Sequence, residues 1–525
     1  MVGSRKIGVL SNTDYAEETH NLTLPNPGDI IMAMIFAWAL FCFFLVLAGK
    51  QVLGVMSRQA SSLELKNAIA NGDEAALTLL MVVGSLSIFI LVLLCLKYRK
   101  AIFPVMLFGL SFAAAQWLPL HDFAASIKYL CLAVLASFAG LFLLKNFWIL
   151  ISTPYIRILV ALFIWIAIVS IFVGGRFDDF WFVSVFLAFA IGVAIGWCNY
   201  IDDIESLCAF NRNIAWAGLV ITFIHLSTPI IIDDYLQQGR FRSYDSRATA
   251  FGVFYAPVLI AMFWMGMFEK RVIIKWVFQL AAVAGVILIL WSGTRSAAGA
   301  TVAAVFLLWW VFKTRILLYV FMAIVLGLSA QIIGLSEQED FGLIADRVEE
   351  EGASGRFDVW VEYSEIILRS PVYGHSSSGV LRQIYAEEYL NLFTRINATA
   401  KTPSPHNSYI GITVRFGIVA LVLYLMLIFK SLGRARNVLL SEFVPAEDKQ
   451  VYVLPVAILL VICITGLTED IVPENGKGNL ATFMAFPLLV LCEAMGAKLL
   501  RKYSEPMVNI QPPKESDNIL HSEPL

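Results

Sequence analysis

Long apolar stretches alternate with short polar connections along almost the whole chain. A bilayer core of about 30 Å is spanned by a helix of about 20 apolar residues, and stretches of that length recur from end to end. The pattern predicts an all-α fold, a polytopic membrane helical bundle of about 14 spans. We place the spans at 30–49, 75–96, 101–120, 126–144, 155–174, 180–198, 213–232, 248–267, 272–291, 296–312, 316–334, 408–429, 451–468 and 480–497.

One polar segment, residues 335–407, is too long for an ordinary connection and predicts a single insert outside the membrane. It is acidic overall. After Ser354-Gly355, apolar residues recur at helical spacing, and Pro371 is expected to end that helix; the apolar positions are Phe357, Trp360, Val361, Ile367 and Leu368. A second amphipathic stretch runs over about 380–393. We expect the two helices to lie over the membrane domain.

The positions of Lys and Arg in short connections predict the orientation, because such residues stay on the cytoplasmic side. Those that fall on one side are Lys97, Arg99, Lys100, Lys145, Arg157, Lys270, Arg271, Lys313, Arg315, Lys430, Arg434, Arg436, Lys498, Arg501 and Lys502. The connection after the first span, with Lys50, Arg58 and Lys66, goes against the rule. The predicted organisation is a cytoplasmic segment 1–29, a membrane domain over 30–334 and 408–497, an external loop 335–407 and a cytoplasmic tail 498–525.

Composition supports one membrane domain over several soluble ones. The chain has 525 residues, 59% apolar and only 15% charged, whereas soluble domains carry about 25% charged residues. The net charge of −2 and the lack of a basic stripe give no indication of nucleic-acid binding. None of the seven cysteines lies in the external loop, so we expect no disulfide there, and no Cys/His spacing indicates a metal site. The sequence also has no P-loop or dinucleotide-binding loop, and we expect no cofactor and no metal.

Arginines at the predicted outer face are the first candidates for chemistry. An arginine beside hydrocarbon is costly unless it faces a cavity or a partner, and its guanidinium binds phosphate through two parallel hydrogen bonds. Arg247 and Arg295 each begin an apolar span, and the helix start at Arg295 adds N–H groups that favour an anion. We predict a diphosphate site there, with Arg356, Asn407 and Arg415 as candidate contacts to the donor or the acceptor. The alternative is interfacial anchoring, or pairing with aspartates in 233–245.

His406 is the candidate base, where the long loop re-enters the membrane. Histidine titrates near neutral pH and can take a proton from a hydroxyl. Asn407 or Ser408 is expected to cap the following helix, which would put Arg415 roughly two to three turns below. The alternative is a helix-start histidine without a chemical role.

Four other polar residues carry weaker signals. His375 fits either loop structure, which we favour, or a contact to the acceptor. Glu469 and Asp470 fit either the orientation of a base or acceptor, or a solvated rim, which we favour. His225, in the middle of a span, fits a hydrogen-bonded core histidine.

Four segments, in order, resemble the O-antigen ligase and polysaccharide polymerase superfamily. They are Arg247-Ala-Thr-Ala-Phe-Gly, Ser292-Gly-Thr-Arg-Ser-Ala, Gly355-Arg-Phe-Asp-Val-Trp through Pro371-Val-Tyr-Gly, and His406-Asn407 before an apolar helix with Gly417. The second departs from the family's pattern at Gly293-Thr294 and Ala297, and the third departs because His375-Ser-Ser-Ser displaces its last glycine to Gly379. The resemblance covers about residues 240–430.

The resemblance implies a GT-C-like bundle in the bacterial inner membrane, with both termini cytoplasmic. It implies metal-independent, inverting transfer of a saccharide from a polyprenyl (undecaprenyl) diphosphate carrier to an acceptor hydroxyl on the periplasmic face. By that resemblance Arg247 and Arg295 hold the diphosphate, and His406 activates or orients the acceptor.

Polymerisation of O-antigen or exopolysaccharide units is the function we favour. Ligation to lipid A-core and protein O-glycosylation stay open, and a lipid-linked oligosaccharide flippase is the alternative of another class. The partners implied are the lipid-linked donor, a glycan or lipid A-core acceptor, the bilayer, and polysaccharide export or chain-length proteins.

Overall fold

The computed structural model describes residues 154–173, 201, 203–231, 235–237, 240–243, 248–314, 354–376, 405–469 and 480–504. Within them the chain forms nine α-helices and one two-stranded ribbon. The helices are α1 Pro154–Phe172, α2 Ile204–Ile231, α3 Ala248–Phe268, α4 Val272–Trp291, α5 Arg295–Phe312, α6 Ser354–Arg369, α7 Ser408–Leu440, α8 Ala446–Thr465 and α9 Leu480–Ser504. The ribbon pairs β1 Leu236–Gln237 with β2 Arg240–Phe241, antiparallel.

The predicted all-α, polytopic membrane bundle is confirmed. Seven described helices, α1 to α5, α7 and α8, are long and apolar enough to cross a membrane, and α9 covers the predicted span 480–497. The predicted spans 30–49, 75–96, 101–120, 126–144, 180–198 and 316–334, and the predicted helix at 380–393, lie outside the described residues.

Three helices extend well beyond the predicted spans, α2, α7 and α9, and polar residues stabilise the added parts of α2 and α7. Helix α2 starts well before 213, and a reciprocal cap fixes its start: the Ser206 N–H donates to Asp203 Oδ1 and the Asp203 N–H to Ser206 Oγ. The bond from Ser206 also holds the pKa of the Asp203 carboxyl below its usual value. Helix α7 continues past 429 to Leu440, where Arg434 pairs with Glu493 of α9 at 3.0 Å.

The helices α3 and α5 run parallel. Near their starts, Gly252 of α3 packs so closely on Thr294 that a Cβ there would lie 2.5 Å from the threonine side chain. Near their ends, the Thr314 hydroxyl lies 3.4 Å from the Met267 sulfur.

Helix α8 runs antiparallel to α3, because the Trp264 indole near the end of α3 donates to the Gln450 carbonyl near the start of α8. The chain after α8 then meets the start of α7, where the Ser408 N–H donates to the Gly466 carbonyl. One end of the bundle therefore gathers the starts of α3, α5 and α7 and the end of α8. The β-ribbon also lies there, since Arg240 of β2 bonds to the Ser292 carbonyl before α5. We call it the ribbon end.

Burial separates the central helices from the peripheral ones. In α3, 83% of the spanning window is buried inside the protein, against 33% in α4. The exposed side of α4 is a continuous apolar row, formed by Val272, Ile273, Trp276, Leu280, Val283 and Ile287. Helix α3 is therefore central, and α4 presents an apolar face suited to lipid.

The described cations used to predict the orientation lie at the end opposite the ribbon. They are Arg157, Lys270, Arg271, Lys313, Lys430, Arg434, Arg436, Lys498, Arg501 and Lys502. Contacts across this end place them together: the Tyr155 hydroxyl meets Ser431 Oγ, and the Tyr503 hydroxyl donates to Asp448. These residues share one side of the bundle, as the sequence predicted.

Candidate functional site

The start of α7 is fastened to the turn that follows α8. The Asn407 side chain accepts from the N–H groups of Tyr409 and Ile410, which is the predicted helix cap. Its Nδ2 donates to the Leu467 carbonyl at 2.9 Å, and the Ser408 hydroxyl donates to the Glu469 carbonyl at 2.9 Å. The residue before the cap, His406, is thereby held against the end of α8.

His406 faces Glu469 across this junction. Its Nδ1 lies 3.6 Å from a Glu469 carboxylate oxygen, with the histidine side chain 32% exposed and the glutamate 16%. The His406 backbone has φ 47°, in the left-handed region, which costs about 1–2 kcal/mol for most residues. Such strain persists only where neighbours hold it. On one side of His406, Asn407 caps α7, and on the other side the Pro405 carbonyl accepts from the Trp360 indole at 2.9 Å.

Helix α7 is broken at Gly417, which has φ 76° and ψ 178°. The break divides it into a first half, Ser408–Phe416, and a long second half. The turn after α6 fills the break: a Cβ on Gly417 would collide with the Val372 carbonyl oxygen, and one on Gly374 would lie 2.5 Å from the Arg415 backbone. Glycine is needed at Gly417 for its conformation and for this close approach.

Three backbone groups beside the break have partners outside α7. The Ile418 N–H donates to the Pro371 carbonyl at 2.8 Å, and the Val414 carbonyl accepts from the His375 N–H at 2.9 Å. The Phe416 carbonyl accepts from the Trp165 indole of α1 at 2.8 Å. A helix interrupted inside a membrane must satisfy such groups within the protein.

Arg415 lies on the first half of α7, next to the break, and is 4% exposed. It is nine residues after His406, or about 13 Å along a helix. A guanidinium buried this deeply requires polar surroundings. Arg415 is therefore part of the protein interior rather than an anchor at the lipid surface.

His375 contributes to loop structure, the interpretation that we favoured from the sequence. Its ring Nε2 lies 2.7 Å from the Ile366 carbonyl oxygen of α6. Since a carbonyl can only accept, Nε2 is the donor, which fixes the tautomer of the neutral ring. The backbone N–H of His375 donates to the Val414 carbonyl, so His375 joins α6 to the broken part of α7.

A second group of polar atoms surrounds the turn before α5. Arg295 is the first residue of α5 and is exposed. On the other side of the turn, Arg240 Nε donates to the Ser292 carbonyl at 2.8 Å and passes so close to Gly293 that a Cβ there would lie 2.8 Å from that nitrogen. Arg240 and Arg295 therefore both lie at the start of α5, where the first N–H groups of a helix favour an anion.

Arg240 is the residue that the sequence analysis missed. It depends on the β-ribbon, which was not predicted because a 28-residue apolar helix precedes it and a span follows. The available signal was Gly239 within Gln237-Gln-Gly-Arg240, a glycine where a two-residue hairpin turn needs one. Phe241 anchors the ribbon, since it is fully buried and stacks on Trp291.

His225 is a hydrogen-bonded core histidine, as predicted. Its Nδ1 meets the Ser243 hydroxyl, which lies 2.9 Å from the Thr228 hydroxyl. Its ring packs edge-on against Phe251 and Tyr255. These contacts hold the chain just after β2 against α2 and α3, and so help to fix the position of Arg240.

Some predicted residues cannot be placed. Arg247, Asp470 and the aspartates at 233, 234 and 245 lie outside the described residues, and Arg356 is described only as a backbone position in α6. Arg247 directly precedes Ala248, the first residue of α3, whose Gly252 contacts Thr294. The two segments predicted to bind diphosphate thus meet at the ribbon end. Within the described ranges, no three His, Cys, Asp or Glu side chains are grouped to hold a metal ion.

These features define a polytopic membrane protein with a polar site toward the ribbon end of an apolar helical bundle. The site contains a histidine–glutamate pair, a buried arginine beside a broken helix, and two arginines at a helix start. The family model described as O-antigen ligase matches residues 280–425. This match confirms the predicted resemblance to the O-antigen ligase and polysaccharide polymerase superfamily. A search of curated proteins found no match.

The matched segment runs from α4 to the middle of α7 and contains Arg295, His375, His406 and Arg415. Arg240 and Glu469 lie outside it, so only the fold brings them to the matched residues. The family supports an O-antigen ligase- or polymerase-like function for a multi-pass membrane protein that uses a lipid-linked glycan and an acceptor.

Proposed function

We propose that this protein transfers a saccharide from a polyprenyl diphosphate carrier to an acceptor hydroxyl, as a polymerase of O-antigen or exopolysaccharide units. The observation that carries the proposal is the pairing of His406 with Glu469 at the end of the bundle that also holds Arg240 and Arg295. One end thus offers a group to accept a proton and groups to bind a diphosphate.

The diphosphate would bind at the start of α5. Arg240 and Arg295 supply two positive charges there, the first N–H groups of α5 point toward the same end, and Arg247 is the predicted third arginine. When the bond between the anomeric carbon and the carrier breaks, the electron pair leaves with the diphosphate. Fixed positive charges stabilise this developing negative charge without reorganisation.

His406 would act as the base for the attacking hydroxyl. Glu469 faces Nδ1, so Nε2 is the nitrogen assigned to take the hydroxyl proton as the oxygen attacks the anomeric carbon. Glu469 then stabilises the imidazolium that forms, as a carboxylate does in other base-assisted transfers. A single displacement of this kind inverts the anomeric centre and uses no metal ion.

The ribbon end is assigned to the periplasm of the inner membrane, and both termini to the cytoplasm. The cations of the short connections collect at the opposite end, which the positive-inside rule places in the cytoplasm. The periplasmic assignment fits an enzyme that receives carrier-linked glycans after their export.

Two alternatives stay in view. Ligation to lipid A-core uses the same donor chemistry and differs only in the acceptor, and the family's description as O-antigen ligase favours it directly. A flippase would need polar groups through both leaflets, whereas the described candidate residues gather toward one end. The placement favours an enzyme over a carrier.

Reconstituted protein supplied with polyprenyl diphosphate-linked repeat units tests the proposal. Lengthening of the carrier-linked glycan without any other acceptor, measured by mass spectrometry, supports a polymerase. Transfer only after lipid A-core is added supports a ligase instead. Donor that stays intact with either acceptor contradicts glycan transfer altogether.

A further inference from the structure

Helix α6 and the turn after it hold the first half of α7 at both of its ends. Before the half-helix, the Trp360 indole donates to the Pro405 carbonyl. After the half-helix, the Pro371 carbonyl accepts from the Ile418 N–H and the His375 N–H donates to the Val414 carbonyl. A half-helix of nine residues is too short to be stable by itself, so these contacts decide where it lies.

Apolar packing joins α6 to the half-helix between these two points. Val359, Tyr363 and Ile366 are buried at helical spacing and pack with Val414 and Ile410. Of the apolar residues whose spacing predicted this helix, Ile367 packs on the same cluster, whereas Val361 and Leu368 are 58% and 75% exposed. The helix predicted after Ser354-Gly355 is present as α6, with Val359, Tyr363 and Ile366 on its buried side.

The turn after α6 is itself tied down on two sides. The His375 ring donates back to Ile366 of α6. Trp165 of α1 stacks on Tyr373 with ring centroids 5.6 Å apart while its indole bonds the Phe416 carbonyl. Helix α6, its turn and the first half of α7 thus form one connected unit, which has His406 before its start and Arg415 near its end.

We infer that α6 is a clamp that sets the position of His406, and that Trp360 is the positioning residue of this clamp. The inference rests on the proposed role of His406 as the base. The Trp360 bond fixes the peptide between Pro405 and His406, and this peptide determines the left-handed backbone of His406. Without the hydrogen bond from Trp360, the His406 backbone relaxes toward the commoner right-handed conformation, and the imidazole ring moves away from Glu469.

The variant Trp360→Phe keeps the ring packing and removes only the N–H donor. In reconstituted full-length protein, we expect it to lower kcat for glycan transfer on the order of tenfold to a hundredfold, because small misplacement of a reacting group has effects of this size. The KM for the lipid-linked donor should stay within about twofold, since the arginines at α5 are not touched. Amide hydrogen exchange at 408–411 should speed up, while α8 stays protected.

Two controls make the result specific. Trp165→Phe removes the same indole N–H from the other end of the half-helix, so it should speed exchange at 412–420 and leave 408–411 protected. Val361→Ala changes an exposed residue of α6 and should alter neither kcat nor exchange. Protected α8 amides in every variant show that the bundle is folded.

The inference requires slower transfer and faster exchange at 408–411 together in Trp360→Phe. Slower transfer with unchanged exchange would contradict it, because Trp360 would then act on the substrate. Faster exchange with normal transfer would contradict it as well, because glycan transfer would then not depend on the position in which α6 holds His406. If wild-type protein transfers no glycan, the proposed function fails, and unchanged exchange in Trp360→Phe would reject the clamp separately.

Discussion

At His406, the conformation and the environment come from residues far away in the sequence. Trp360 holds the peptide before it and Glu469 faces its ring. The sequence offered Glu469 only as one of two alternatives, to orient a base or to lie on a solvated rim, and it gave no indication that Trp360 contacts this segment. The sequence did predict the histidine itself, its place at the loop boundary and the cap by Asn407. Residue type and boundary are local properties, whereas the partner of a side chain depends on how distant helices pack.

The first prediction concerns Glu469. In Glu469→Gln the shape is kept but the negative charge that stabilises an imidazolium is lost. We expect kcat to fall by about tenfold, or about 1.4 kcal/mol of barrier, with little change in the KM for donor. Steady-state kinetics checks this, with Glu442→Gln, a substitution at the opposite end of the bundle, as the matched control. Equal kcat values in both variants would assign Glu469 to a solvated rim.

The second prediction concerns the arginines at the start of α5. Lysine keeps the charge but cannot make two parallel hydrogen bonds to phosphate. Arg240→Lys, Arg295→Lys and Arg247→Lys should each weaken binding of a polyprenyl diphosphate analogue by about tenfold, the loss of one charged hydrogen bond. Isothermal titration measures the affinity, and Arg271→Lys at the opposite end is the control. Normal binding by all three would make these arginines interfacial anchors.

At the scale of elements, α7 departs most from the sequence prediction. The apolar pattern predicted a span over 408–429, but the helix is longer and is broken at Gly417. The break is invisible to hydropathy because both halves are apolar. Its signals were Gly374 and Gly417, since each glycine packs on the backbone of the other segment where the turn after α6 meets α7.

The third prediction tests this break. Gly417→Ala adds a Cβ that collides with the Val372 carbonyl and forces an unfavourable left-handed φ, at a cost of at least about 1–3 kcal/mol. Gly433→Ala, on the same helix, meets nothing within 4 Å and should be neutral or stabilising by up to about 1 kcal/mol. Thermal unfolding in detergent compares them. Equal stability of the two variants would contradict the described break.

At the scale of the whole molecule, the class of protein was predictable and the arrangement of its helices was not. Long charge-poor stretches require membrane-spanning helices, whatever their neighbours. Which helices meet depends on contacts between distant residues, such as the close packing of Gly252 on Thr294 and the hydrogen bond from the Trp264 indole to the Gln450 carbonyl. These contacts bring Arg240 and Arg295 to the end that holds His406.

The fourth prediction concerns the orientation of the bundle. Leu368 on α6 and Phe443 at the opposite end are both 75% exposed, so cysteine at either position should be equally accessible to solvent. In cells with a permeabilised outer membrane, an impermeant thiol reagent should label Leu368→Cys. Phe443→Cys should react only after the inner membrane is broken. The reverse pattern would invert the orientation and place the site in the cytoplasm.

The most direct measurement compares wild-type protein with His406→Ala and His406→Asn, purified and given lipid-linked donor and acceptor in excess EDTA. Asparagine tolerates the left-handed backbone of His406 but is no base. We predict that wild-type protein consumes the donor, and that both variants stay folded and are slower by about 10²–10⁴-fold. Donor consumption by well-folded His406→Asn at the wild-type rate would contradict the base assignment. Loss of wild-type activity in EDTA, restored by magnesium or manganese, would contradict the metal-free mechanism.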